Sequence, residues 1–197
     1  MFQWTHAATG RPRRGPRRVR PTGPRGRGLG RSHPCTEWTV RDLVNHLTSE
    51  HFWAPYLLRG ATLPEVGDRF DGDVLGPDPV DAWTRASTAS RAAFHERPAL
   101  TGQVHTSGGP INADEYAWQM IFDLTIHSWD LARGAGLDDR LDPDLVMTVT
   151  DELSQYFPVW YGAILDHPVA VPPTAGDQDR LIAATGRHPD WSSSRTH

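Results

Sequence analysis

The sequence predicts an all-α helical bundle. Apolar residues recur at helical spacing along several segments, and three of these segments open on a helix-start signal: Thr39, Asp78-Pro79 or Asp142-Pro143. No convincing strand run and no internal repeat interrupts them. At 197 residues the chain is long enough for one domain with a real core.

The first helix starts behind Thr39, where Asp42 three residues on completes a weak capping box. Val40, Leu43, Val44, Leu47, Ala54, Leu57 and Leu58 then carry it as far as Gly60. Residues 60 to 77, rich in Gly and Asp, read as loop. A second helix runs from Asp78-Pro79 to about Arg97, with proline in its first turn. The stretch "TGQVHTSGGPIN" reads as a loop with room for a small hairpin around Gly108-Gly109. The next helix spans about Ala113 to Arg133, with Gly134 or Gly136 as its stop. Asp142-Pro143 opens another that ends before Pro158 or shortly beyond, and a short last helix, "QDRLIAATG", precedes "RHPDW".

Charge divides the chain. Residues 1 to 33 hold nine Arg and no acid, whereas residues 34 to 197 hold eleven Arg against twenty-four Asp and Glu. The Arg/Pro/Gly text of 1–33 cannot bury enough apolar surface to fold alone, so it is expected to be disordered or artefactual. Three readings stay open: a tail for nucleic acid or an anionic surface, an extension without a role, or GC-rich DNA read in a shifted frame. No aromatics interleave the arginines and the remainder is acidic, which disfavours nucleic acid. No apolar run reaches the length of a membrane span, and none follows the basic start as in a signal peptide. Arginine pairs near 13 and 17 resemble a twin-arginine signal, but Pro, Gly and more Arg follow them. A single cysteine, Cys35, excludes a disulfide framework; the expected location is cytoplasmic.

The chemistry concentrates in "FDLTIHSWDLARG", residues 122 to 134. On a helix, Tyr116, Met120, Asp123, His127 and Leu131 fall on one stripe. A carboxylate there costs several kcal/mol unless it is paired or bound to metal. One reading is a buried Asp–His hydrogen bond. The other is a metal site, because Asp and neutral His four apart can grip one ion from one face. A third ligand must then come from another helix, and the first helix offers His46, with Glu50 one turn later.

"PCTEWTVRDLVNHL" followed by "DLTIHSWDLARGAG", with "DRLIAATGRHPDW" at the end, resembles the actinobacterial branch of the DinB/YfiT-like metal-binding bundles. That branch is related to the N-terminal domain of mycothiol-dependent maleylpyruvate isomerase. The resemblance covers about residues 33 to 191 and implies a DinB-like four-helix bundle over 34–197. It also implies a divalent metal, zinc first among candidates, on His46, Asp123 and His127. The chain departs from the family in three ways. The family's long first helix is replaced by the Arg/Pro/Gly segment, leaving a bundle without a regular first helix and with apolar surface exposed on the helix after Thr39. The acid is Asp where Glu is expected. The isomerase's further C-terminal domain has no room, so its substrate chemistry is not carried over.

Other residues have plainer readings. Asp130 can orient a ligand, but a structural pair with Arg41 or Arg133 is favoured, and Glu50 is read as solvated or capping. Trp38, Trp53, Trp129 and Cys35 read as packing residues, while His51, His105 and His167 have no assigned partner. The function implied is a metal-binding, thiol (mycothiol)-dependent transferase or isomerase-like enzyme, or a hydrolase, acting on an electrophilic substrate. The alternative is a non-catalytic metal-binding sensor or interaction module. Substrate, catalytic residues and oligomeric state, a homodimer included, stay open.

Overall fold

The computed structural model describes residues 38–96 and 98–191. The expectations for residues 1–33, for a missing first helix and for Cys35 lie outside the described residues. The elements in order are α1 (Val40–Leu57), α2 (Leu63–Val66), α3 (Pro79–His95), β1 (Gln103–Thr106), β2 (Gly109–Asn112), α4 (Ala113–Ala135), α5 (Pro143–Leu153), α6 (Phe157–Trp160) and α7 (Asp177–Ala184). The chain is an all-α, DinB-like bundle carrying one small antiparallel hairpin. Among the described residues, no helix is long and apolar enough to cross a membrane.

Local chemistry sets the helix ends. The Thr39 hydroxyl accepts from the Asp42 amide, and the Asp42 carboxylate accepts from the Thr39 amide at 2.8 Å, so the capping box forms in full. Asp78 and Asp142 cap α3 and α5 by accepting from the amides that follow them. Gly136 ends α4 because it takes a left-handed φ of 71°, whereas Gly134 is buried inside the helix. Pro158 falls in the first turn of α6, where no intrahelical amide bond is lost.

One of the two connecting stretches differs from expectation. Residues 60–77 contain α2, whose four residues are too few to show periodicity; its signal is the second capping box, Thr62 with Glu65. The hairpin at 103–112 does form, pairing Val104 with Ile111 and Thr106 with Gly109.

The long helix α4 is central, touching α1 on one side and α5 on the other. His46 lies near Asp123, whereas Trp53 and Leu57 cluster with Ala113, Tyr116 and Met120, so α1 and α4 run antiparallel. A second apolar cluster joins Phe122, Ile126 and Trp129 of α4 to Val146, Val149 and Leu153 of α5 and Leu181 and Ile182 of α7. The expected apolar exposure on α1 is not found: Val40, Leu43, Leu47, Trp53, Ala54 and Leu57 are buried. The physical reason is that α3 packs along α1, while Phe70 of the following loop lies against Phe52, Trp53 and Tyr56.

Candidate metal centre

Because α1 and α4 cross with antiparallel direction, the capped start of α1 meets the second half of α4. This crossing brings His46, Asp123 and His127 together. One ligand-type atom from each lies within 4.8 Å of the others. His46 Nε2 is 3.3 Å and His127 Nε2 3.4 Å from the same carboxylate oxygen, Asp123 Oδ1. The two imidazoles meet nearly edge to face, 5.3 Å between centroids. Trp38 covers both rings, at 5.0 Å from His46 and 6.1 Å from His127.

The ring orientations suit a cation. His127 Nδ1 donates to Asp130 Oδ2 at 2.8 Å, which leaves the Nε2 lone pair toward Asp123. Asp130 is 0% exposed and also accepts from Arg187: Nε reaches Oδ1 at 2.8 Å and Oδ2 at 3.0 Å, and Nη2 reaches Oδ2 at 2.8 Å. Glu50, 2% exposed, sits one turn beyond His46 with Oε1 4.0 Å from His46 Nδ1.

The electrostatics express the same arrangement. Burial opposes charge on His46, but the adjacent Asp123 carboxylate, its hydrogen bond and then Glu50 win and raise its pKa to about 9. Burial pushes the Asp123 carboxyl up, yet the His46 and His127 imidazoles hold it below the usual carboxylate value. Asp130 likewise stays far below that range against its burial, through Arg187 and His127. His51 is pushed down to about 4, chiefly by burial. Tyr116, fully buried near Glu50 and Asp123, is raised well above the ordinary phenol value.

Two imidazole–carboxylate pairs around one oxygen, with the His127 ring held by Asp130 so that its Nε2 faces that oxygen, form a donor set that fits zinc: two imidazole nitrogens and a carboxylate. Among the described residues, both ring nitrogens of His51 and the Tyr116 hydroxyl are buried without a hydrogen-bond partner, and both groups lie close enough to Asp123 to feel its charge.

Three sequence readings need correction. Asp130 pairs with neither Arg41 nor Arg133, since Arg41 binds Asp73 and Arg133 binds Asp139; among the described residues it pairs with His127 and Arg187. Glu50 is not solvated, because the turn that aims His46 into the α1–α4 crossing aims Glu50 there too. Trp38 does more than fill space, since its ring lies on both histidines, whereas Trp53 and Trp129 are core. Arg187, His51 and Tyr116 were not legible as site residues. His51 packs on Trp83, and His167 on Tyr161.

Fold and site together define a DinB-like helical bundle built around a candidate metal centre. A family model described as mycothiol maleylpyruvate isomerase N-terminal domain matches residues 22–132, more than half of the chain, and the chain belongs to that family. It is 27% identical over 123 residues to Uncharacterized protein Rv0738 of Mycobacterium tuberculosis strain H37Rv, covering 60% of this chain and 61% of the relative. Uncharacterized protein MT0763 of Mycobacterium tuberculosis strain CDC 1551 matches to the same extent. The match therefore spans less than two thirds of either relative's length. No solved structure matches.

Proposed function

We propose that the bundle over residues 34–197 binds one divalent ion, zinc, through His46, Asp123 and His127, and uses it in a mycothiol-dependent transfer or isomerisation on a small electrophile. The observation that carries this reading is the convergence of three ligand-type atoms within 4.8 Å in a buried layer, on a chain of this family. When bound, such an ion supplies the positive charge that lowers a thiol's pKa and leaves a nucleophile at neutral pH.

The chain's own residues have separate tasks in this reading. His46 loses its proton as a ligand, and Asp123 supplies the anionic oxygen. Asp130 holds the His127 ring so that Nε2 faces inward. Glu50, buried beside His46, takes up the proton that the thiol loses and passes it on to solvent. His51 and Tyr116 remain neutral near pH 7, so both can donate hydrogen bonds to a substrate oxygen without adding charge to the layer. Trp38 excludes water from one side. We place the protein in the cytoplasm, where one cysteine and a low-molecular-weight thiol are compatible.

The test is calorimetric titration of the zinc-loaded protein with mycothiol or a small thiol surrogate in two buffers of different ionisation heat. Thiol binding with release of about one proton near neutral pH is expected. Zinc uptake without any thiol response removes the transferase and leaves a metal-binding sensor or interaction module.

A further inference from the structure

We infer that Arg187 is a positioning residue of the metal centre: through Asp130 it fixes the His127 ring, so metal affinity depends on the C-terminal segment. The inference rests on the metal reading above and goes beyond it, because Arg187 lies well past residue 132, where the family match ends.

Asp130 is the joint between the two halves of the chain. Fully buried, it would be a costly isolated charge without a cation. Arg187 supplies that cation in a forked arrangement with both carboxylate oxygens, at 2.8–3.0 Å. The fork fixes the carboxylate, and its Oδ2 accepts from His127 Nδ1 at 2.8 Å. A neutral imidazole that donates from Nδ1 can coordinate only through Nε2, the nitrogen that faces Asp123. Without Arg187, a displaced Asp130 no longer selects that tautomer or ring angle.

Several contacts set Arg187 in place. Its Nη1 donates to the Thr185 carbonyl and hydroxyl at 3.3 and 3.2 Å. Thr185 follows α7, whose Leu181 and Ile182 are anchored in the apolar cluster. Gly186 makes the turn with φ 82°, and a Cβ there would stand 2.3 Å from Asp166 Cβ, so the backbone passes where no other residue fits. Beyond it, the Arg133 guanidinium donates to the carbonyls of Pro189 at 2.7 Å and Trp191 at 3.3 Å. The latch thus has its own scaffold, separate from the α1–α4 crossing that carries the ligands.

The experiment measures zinc affinity of the full-length protein by competition with a chromophoric chelator, for wild type, Arg187→Met, Asp130→Asn and the double variant. Each single change is expected to weaken zinc binding about 10–100-fold, as loss of a supporting hydrogen bond to a ligand does. The double variant should be no weaker than the worse single, since the two residues act in series. Cobalt(II)-loaded Arg187→Met should show an altered visible spectrum, which a purely structural ion pair would leave alone. If Arg187→Met does not fold, Arg187→Lys keeps the charge, loses the fork and should show a smaller loss of affinity. Unchanged zinc affinity and cobalt spectrum in a folded variant, with only a lower melting temperature, overturn the inference. Should wild type take up no zinc, the metal reading fails on its own, and nitrogen-15 NMR of His127 judges the latch. An Nδ1–H tautomer in wild type that is lost in the variant supports it, and an unchanged tautomer overturns it.

Discussion

Two faces of α4 lie one residue apart and are both largely hidden from solvent, yet they are held by opposite means. Phe122, Ile126 and Trp129 face α5 and α7; Asp123, His127 and Asp130, each the next residue along, face α1 and the C-terminal segment. The apolar face needs only neighbours of the right volume, because removing apolar area from water is non-directional. The polar face needs particular atoms at particular places, and they come from far along the chain: His46 and Arg187. Burial on one face is therefore a source of stability, and on the other a constraint that Arg187 relieves at Asp130 and that the proposed ion would relieve between the histidines.

That contrast can be broken from the apolar side first. Trp129→Ala, at a fully buried position, should destabilise the protein by about 3–5 kcal/mol, read as a lower midpoint in chemical denaturation. An unchanged midpoint would mean that the cluster between α4, α5 and α7 does not hold the fold.

From the polar side, Asp123→Asn should weaken metal binding and also lower the stability of the metal-free protein near pH 7, because it removes the charge that holds His46 protonated. It removes the anionic ligand, so zinc binding should weaken by about 100-fold or more. The fold should survive, because the amide retains the size and an oxygen between the two histidines. Chelator competition beside thermal melting separates the two effects.

The pH dependence sharpens the comparison further. His46 has a pKa of about 9 in the metal-free protein, and only its neutral form binds metal. Zinc affinity should thus rise about tenfold per pH unit from neutrality and level off near pH 9. The stability of the metal-free protein has the opposite sign. A pKa raised above the unfolded value of 6.5 contributes stability that is complete below pH 6.5 and is lost as pH climbs through about 9. Melting curves of apo-protein across that window, flat rather than falling, would contradict the charge assignment.

The smallest effect concerns the start of α1. Thr39→Ala removes the hydroxyl that accepts from the Asp42 amide and should cost about 1 kcal/mol. Because the adjacent Trp38 covers both histidines, a slight loss of zinc affinity should accompany it.

Most of the fold was legible because its signals are local. Capping pairs, prolines in first turns and apolar spacing placed the long helices to within a few residues. The candidate triad was legible in part: Asp123 and His127 are four apart on one helix, spacing on the first helix offered His46 as a third ligand, and the family resemblance singled it out. Arg187 was not legible. An arginine in "GRHPDW" carries no period, and its partner lies on another helix more than fifty residues earlier. Glu50 and Asp130 were misread for a related reason, since charged residues are usually solvated and only the crossing of α1 with α4 shows which are not.

The measurement closest to the centre of this account is a calorimetric titration of metal-free wild-type protein with zinc, beside His46→Ala. The account predicts one zinc per wild-type chain with proton release at pH 7, and a loss of affinity of about 100-fold or more in the variant. Equal zinc binding by the two proteins, or none by wild type, would contradict it.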